Sequence, residues 1–333
     1  PGGLDALYRI DGVLAPVARI EGVFAERFVG RLKVLAGLPT YRRDIPQDGA
    51  IPASEAGGRA DVRISILPTI HGEKAVLRFF QVGTDAPGLE GLGFSDAIRD
   101  RLRVLVSRPE GATLLTGPSG SGKTTTLYAL LGEILGGPEG TLRHVVTIED
   151  PVERALPGVT QTQVNPLSGL SFGTALRSIL RHDPQVIMVG EIRDRETAQV
   201  AMEAGLTGHL VISTVHAGTA AGVVSRLLEM GVESHVLFSS LSAVLAQRLL
   251  RSRCSACAGG CAACRQTGYA GRRVVAELLE AGDWLRDACG RGSGRTEIEA
   301  LAVRRGMLPL ADAARRLVAE GVTTPEEVRR VMG

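Results

Sequence analysis

The chain has 333 residues, 44% of them apolar and 4% aromatic, with 38 lysines and arginines against 36 aspartates and glutamates for a formal charge of +2. That length suits two domains with a sizeable core, and the charge balance lacks the basic excess of a chain built mainly to hold nucleic acid. No apolar run reaches the roughly 18–20 residues of a spanning helix and no signal peptide opens the chain, so a cytoplasmic location is expected, with membrane contact only through partners.

From the start, Leu7 to Leu14 reads as two short strands around Asp11-Gly12, a strong hairpin signal. Glu21 to Leu38 follows as an amphipathic helix closed by Gly37 and Pro39. Alternation then resumes, with Val62, Ile64 and Ile66 on one face and Arg63 and Ser65 on the other. The stretch Pro68 to Gly72 connects this strand to a second, Lys74 to Phe80. One sheet with helices on one face is expected here. Because the chain opens within a strand pattern, sequence upstream of it is also expected. Gly83 to Gly93 is glycine-rich and contains Pro87, which marks a linker. The expected organisation is an α+β domain over residues 1–86, a linker over 87–98 and an α/β domain over 99–333.

Helical Phe94 to Val106 leads into Thr113-Leu114-Leu115-Thr116, a short apolar strand. Then comes Gly117-Pro118-Ser119-Gly120-Ser121-Gly122-Lys123-Thr124, a full G-x-x-x-x-G-K-[ST] match, followed by Thr125 and apolar positions at helical spacing. Glycine is needed where the backbone approaches phosphate closely, and the loop amides and helix N-terminus face the anion. Lys123 is expected to bridge the β- and γ-phosphates and the Thr124 hydroxyl to bind Mg²⁺. Further strands are read at His144 to Glu149, Val186 to Gly190 and His209 to His216, separated by helices, which predicts a parallel sheet covered on both faces. Beyond about residue 218 the pattern is mostly helical, broken by the cysteine loop and by Val274 to Leu279.

Three further stretches carry chemistry. Thr147-Ile148-Glu149-Asp150-Pro151 puts two carboxylates at a strand end, and Glu149 is the candidate for orienting or deprotonating the attacking water. Adjacent acids also suit a solvated turn. Val186 to Glu191 is an apolar strand ending in an acid, a Walker B arrangement whose Glu191 would hold the Mg²⁺ hydration shell. Arg193 and Arg195, just beyond, read equally as a charged turn. His209 and His216 bracket the next strand, and a ring N–H of His216 could sense the γ-phosphate.

These stretches together resemble the secretion-superfamily motor ATPases of type II secretion and type IV pilus assembly. Gly117–Thr124 is similar to their Walker A, Thr147 to Glu153 to their aspartate box, Leu176 to Asp194 to their Walker B region, and Thr207 to Ala217 to their histidine box. Arg9 to Leu14, Leu32 to Leu38, Pro46 to Gly49 and Pro68 to Lys74 resemble the family's PAS-like N-terminal domain. The resemblance implies a RecA-like P-loop NTPase domain preceded by that smaller domain, with Arg63 and Arg78 reaching the nucleotide's phosphates when the domains close. It also implies nucleotide contacts from Gly117 through Thr125 and from His209.

Cys254-x-x-Cys257 and Cys261-x-x-Cys264 form two pairs whose thiolates suit a closed Zn²⁺ site. Only Ala258-Gly259-Gly260 separates them, where family members often carry a longer insert, so a reduced metal-free loop is the alternative. Cys289 reads as a core thiol. The cluster resembles the tetracysteine motif of the export and assembly branch, which retraction ATPases lack. The resemblance implies ATP hydrolysis with Mg²⁺, a homohexameric ring, and action on an inner-membrane platform protein and a cytoplasmic-side adaptor, with no nucleic acid bound. Pilus retraction and a RecA-like nucleic-acid translocase are the alternatives, with a non-hydrolysing nucleotide sensor behind them.

Overall fold

The computed structural model describes residues 2–58, 60–81, 87–137, 143–257 and 259–333. The chain divides into two compact units, Pro1–Asp85 and Ala86–Gly333.

In the first unit, strands β1 (Gly3–Ile10) and β2 (Val13–Glu21) form an antiparallel hairpin. Asp11 and Gly12 both take positive φ, 48° and 85°, the turn whose twist matches the strands it joins. Glu21 is the last residue of β2, paired with Gly3, so helix α1 (Val23–Leu35) starts two residues later than its apolar pattern indicates. The third and fourth elements of the sheet pattern, β4 (Ala60–Thr69) and β5 (Gly72–Gln81), pair antiparallel, and β3 (Gln47–Ile51) adds to the β4 edge. β3 escapes sequence reading because Gln-Asp-Gly-Ala-Ile has turn composition and only one large apolar residue. The unit therefore holds a two-stranded and a three-stranded sheet rather than one. Val29 and Leu32 of α1 share a core with Ile51, Val62, Ile64 and Ile66.

In the second unit, the stretch read as a linker belongs to the core from Leu89 onward. Leu89–Leu92 makes a 3-10 turn with Leu89 fully buried, and Ser95 caps α2 (Asp96–Val106) by accepting from the Ile98 N–H. Residues 83–86 of that stretch lie outside the described residues. The order then runs β6 (Gly111–Thr116), α3 (Lys123–Gly136), β7 (Val145–Glu149), β8 (Val159–Gln163), α4 (Phe172–Ile179), β9 (Val186–Ile192), α5 (Arg195–Leu206), β10 (Leu210–Val215), α6 (Ala220–Glu229), α7 (Ser234–Ser240), β11 (Leu241–Arg253), β12 (Tyr269–Glu280), α8 (Asp283–Gly290), α9 (Arg295–Arg304), α10 (Leu310–Ala319) and α11 (Pro325–Met332).

Among the described residues these strands form one seven-stranded sheet, ordered β12-β11-β6-β10-β9-β7-β8. All neighbours are parallel except β11 and β12. The sheet is thus mixed because β12 runs back antiparallel along β11, and β11 is the strand the sequence pattern hides. Its Leu-Ser-Ala-Val-Leu-Ala-Gln run is buried on both faces, and a continuous apolar run does not distinguish strand from buried helix by periodicity. One face packs on α2 and α3 through Leu105, Leu127, Leu130 and Leu131, the other on α4 to α7.

The C-terminal helix is locked to β11 by a buried carboxylate. Glu327 accepts the Arg251 backbone N–H at 3.0 Å, the Arg251 Nε–H at 2.9 Å and the Arg330 Nε–H at 2.8 Å. Burial pushes its carboxyl upward, but the bonds from Arg330 and Arg251 prevail and hold it down at about 2. A carboxyl depressed in the folded state from its ordinary 4.5 contributes stability that is complete above that value and is lost as pH falls toward about 2. Glu327→Ala strands two arginines and is expected to cost about 3 kcal/mol at pH 7. Denaturant titrations should show the gap to wild type narrowing at pH 3, and a gap independent of pH would refute the assignment.

Candidate functional site

Because β6, β7, β9 and β10 are parallel, their C-terminal ends lie along one edge of the sheet, where open α/β sheets bind ligands. The loop after β6 is held open there by backbone that only glycine supports. Gly117 has φ 149°, and a Cβ on it would meet the Gln247 carbonyl at 2.4 Å and Ser121 Oγ at 2.6 Å. Gly122, at φ 90°, is the N-cap of α3. Pro118, Ser119 and Gly120 are exposed, Ser121 is buried, Gly122, Lys123 and Thr124 are half-buried and Thr125 is exposed. Lys123 Nζ donates to the carbonyls of Gly117 at 2.8 Å and Pro118 at 3.1 Å. Burial lowers the Lys123 pKa, against the pull of the nearby Glu191 charge.

Gln247 of β11 is a part of this site that sequence reading missed. Its Nε2–H donates to the Ser121 carbonyl at 2.8 Å and its Oε1 accepts the Thr126 hydroxyl at 3.1 Å. The residue is 1% exposed. The one signal in the sequence is a polar side chain inside an otherwise apolar run, in a part of the chain whose pattern reads as mostly helical.

Glu191 and His216 meet across two adjacent strand ends, with Nε2 of His216 2.5 Å from Glu191 Oε1. The register between β10 and β9 shifts after Ser213↔Val189 to Val215↔Ile192, which puts one extra residue on β9 beside Glu191. Such a bulge redirects a side chain at a strand end. The Thr214 hydroxyl fixes it by donating to the Gly190 carbonyl at 2.8 Å. Arg193 donates to Glu191 Oε2 at 2.6 Å and stands 3.9 Å from Asp150, so it belongs to this cluster and not to a loose charged turn. On the other side, Thr116 of β6 binds both the N–H and the carbonyl of Ala217, each at 2.9 Å, tying the residue after His216 to the phosphate-loop strand.

Glu149 occupies a different environment from the solvated turn or the water-facing base considered above. It is 4% exposed and accepts from Thr147 at 2.7 Å, Gln161 at 2.9 Å and Tyr128 at 2.5 Å. Burial and the Glu149 bond push the Tyr128 phenol pKa well above its usual value. The network joins α3 to β7 and β8, while the neighbouring Asp150 is the exposed acid.

His209 is a correction. It precedes β10, and Leu210 pairs with Gly111 at the start of β6, so His209 sits at the opposite edge of the sheet from Lys123. Its Nδ1 lies 3.1 Å from the Ala204 carbonyl at the end of α5. A strand of six residues separates it from His216, about 20 Å in extended chain. In the first unit, Arg63 and Arg78 are directly opposed on β4 and β5 and line a cavity of about 340 Å³ with Asp48, Gly49, Ile64, Ser65 and Val76. Directly opposed like charges are unfavourable by themselves, and Asp48 lines the same cavity.

The four cysteines gather between β11 and β12. Sγ separations are 3.9 Å for Cys254 to Cys261, 3.6 Å for Cys257 to Cys264 and 3.7 Å for Cys261 to Cys264, and all four lie within 4.8 Å of one another. Thiolates around a tetrahedral zinc at about 2.3 Å stand roughly 3.8 Å apart, so the set can hold a metal ion. The short spacer, of which Ala258 lies outside the described residues, does not prevent closure. Burial and the surrounding thiols push Cys257 up to about 12. Cys264 is brought down to about 6 against its burial, because the N–H groups of Cys261 and Gly268 point at its sulfur from 3.2 and 3.3 Å.

A glycine-held phosphate loop after β6, with a carboxylate at the same sheet edge two strands away on β9, defines the class of P-loop nucleotide hydrolases. Within that class, the chain belongs to the family described as Type II/IV secretion system protein, which it matches over residues 4–330. It is similar to Type II secretion system protein HxcR of Pseudomonas aeruginosa, at 43% identity over 97% of this chain and 70% of that protein. It is also similar to the Type IV pilus assembly ATPase PilB of Thermus thermophilus, at 41% identity over 96% of this chain and 39% of that protein. Among solved structures, the ATPase DotB of Yersinia pseudotuberculosis shares the fold, with TM-score 0.76 at 22% identity over 100% of this chain and 88% of that one.

The thiol geometry predicts a stoichiometric metal. Protein purified without added zinc is expected to release about one equivalent on denaturation, and Cys264→Ser should weaken zinc binding at least tenfold, on the order seen when a metal site loses a supporting group. Competition with a colorimetric chelator measures this, and undiminished retention in the variant would exclude the four-thiolate site.

Proposed function

We propose that this chain is the ATP-hydrolysing motor portion of a machine that assembles a pseudopilus or pilus, in type II secretion or type IV pilus assembly. The observation that carries the reading is the Glu191–His216 contact next to a complete phosphate loop, on adjacent strand ends. The relatives at 41–43% identity bear names from those two systems. The gathered thiols favour assembly over retraction, since the tetracysteine motif marks the assembly branch in the family this chain resembles.

In this reading the amides of Gly117 to Thr125 cradle the ATP phosphates, and Lys123 exchanges its two carbonyl partners for phosphate oxygens. Thr124 and Glu191 would hold Mg²⁺, which supplies charge neutralisation on the β- and γ-phosphates. Glu191 orients the attacking water, with His216 and Arg193 fixing its two oxygens. Glu149, buried and three times hydrogen-bonded, keeps the loop helix in register with β7 and is a positioning group. Arg63 and Arg78 present a paired cation to phosphate from the first unit, within a homohexameric ring. The cysteines hold zinc. No helix among the described residues is long and apolar enough to cross a membrane. The partners in this reading are an inner-membrane platform protein and a cytoplasmic-side adaptor.

Lys123→Ala and Glu191→Gln are each expected to lower kcat for Mg²⁺-dependent phosphate release by roughly 10²-fold or more. Glu149→Gln, which keeps its size and one acceptor, should cost less than Glu191→Gln. Wild-type turnover in the Glu191 variant would overturn the assignment of that carboxylate.

A further inference from the structure

One buried acid outside the phosphate site links it to the C-terminal helices. Glu277 lies on β12 at 2% exposure, on the face that packs against α6 and α10. Its Oε1 accepts the Ala220 N–H at 2.8 Å and its Oε2 accepts the Leu310 N–H at 3.0 Å. Those are the first residues of α6 and α10. A single carboxylate therefore caps two helices at once, each by its orphan N-terminal donor and its positive dipole end. For α10 the cap residue is Pro309, with no side-chain acceptor of its own, so Glu277 supplies what the local sequence lacks. Thr219 is already engaged with Gly222 at the start of α6.

The α6 end is only four residues past His216. The same loop is held from a second point, where Arg248 of β11 donates to the Gly218 carbonyl at 2.7 Å. Arg248 also donates to the carbonyl of Gln247, the residue that clamps the phosphate loop. Burial raises the Glu277 carboxyl, while the two N–H bonds and Arg248 oppose that shift. An ionisable group so deeply placed, between apolar Val274 to Ala276 and Leu278 to Leu279, is costly to retain for helix capping alone, since a local Ser or Asp cap would do the same at the surface.

Resting on the reading of Glu191 and His216 as the hydrolytic pair, we propose that Glu277 is a positioning residue. It makes the seating of α10 and the placement of the His216 loop one mechanical unit, so displacement of α10 shifts His216 relative to Glu191. The effect falls on turnover and not on nucleotide affinity, because the phosphate loop is held separately by Gln247.

Glu277→Gln keeps the volume but leaves one oxygen for two donors. The expected result is a fall in kcat of about fivefold or more, an affinity for ATP within twofold of wild type, and faster amide exchange at both Ala220 and Leu310. Glu327→Ala, which loosens the C-terminal helix elsewhere, should lower stability without the same kcat loss. Equal kcat in wild type and Glu277→Gln, or exchange that rises at only one helix, would overturn the proposal. So would a kcat loss matched by Glu327→Ala, since that reports general destabilisation. Should Glu277→Gln not fold, Glu277→Asp keeps the charge but shortens its reach to the two helix ends and carries the same turnover expectation, with unchanged kcat overturning it. A wild-type protein without ATPase activity would sink the hydrolytic reading instead, and paired exchange at Ala220 and Leu310 would then decide the coupling alone.

Discussion

The close approach of Gly117 to the Gln247 carbonyl is the constraint on which the rest of the site depends. A phosphate loop is a stretch of backbone with its amides turned outward, and its internal bonds, from Lys123 to the Gly117 and Pro118 carbonyls, do not anchor it to the sheet. Here the neighbouring strand does so, with the Gln247 carboxamide bonded to Ser121 and Thr126 and its main chain pressed against Gly117. β11 must therefore run beside β6, parallel and in register, before the loop can be rigid. Electrostatic stabilisation of a phosphoryl transfer depends on donors that are already oriented, and this strand contact orients them.

From that fixed point the site spreads along one edge of the sheet in order of strand neighbours: Lys123 after β6, His216 after β10, Glu191 on β9, Asp150 after β7. Cross-links between adjacent strand ends set their spacing. Thr116 holds Ala217, and Thr214 holds Gly190 beside the extra residue of β9. Each of these is a hydroxyl bonded to backbone, and each converts a register between strands into a position for a functional side chain. The two oxygens of Glu191 face a histidine and an arginine, whereas those of Glu149 face Tyr128, Thr147 and Gln161. Two glutamates at similar places on neighbouring strands are thus distinguished by their partners, one facing charged groups at the sheet edge, the other facing neutral donors between α3, β7 and β8.

β11 continues this logic away from the nucleotide. It carries Gln247 for the phosphate loop, Arg248 for the His216 loop and Arg251 for the C-terminal helix, and it leads directly into Cys254 of the thiol cluster. Its partner β12 carries Glu277 and begins where the cysteine loop ends. The antiparallel pair is accordingly the part of the fold through which the phosphate loop, the thiol cluster and α6, α10 and α11 share restraints.

Local sequence determined whatever depends on contiguous residues. The glycine spacing of the phosphate loop, the Asp11-Gly12 turn, the acid at the end of an apolar strand and the two cysteine pairs were all legible, because backbone sterics and ligand spacing act over a few positions. Tertiary structure alone decided the rest. It placed His209 and His216 at opposite edges of the sheet, since strand direction, not proximity in sequence, sets which end faces the ligand. It made Leu241–Arg253 a strand, because a run buried on both faces has no periodicity to read. It turned Glu149 inward, since a carboxylate's role follows from donors arriving from α3 and β8. And it gave Gln247 and Glu277 their parts, because a polar side chain in an apolar strand acquires meaning only from the groups that fold across it.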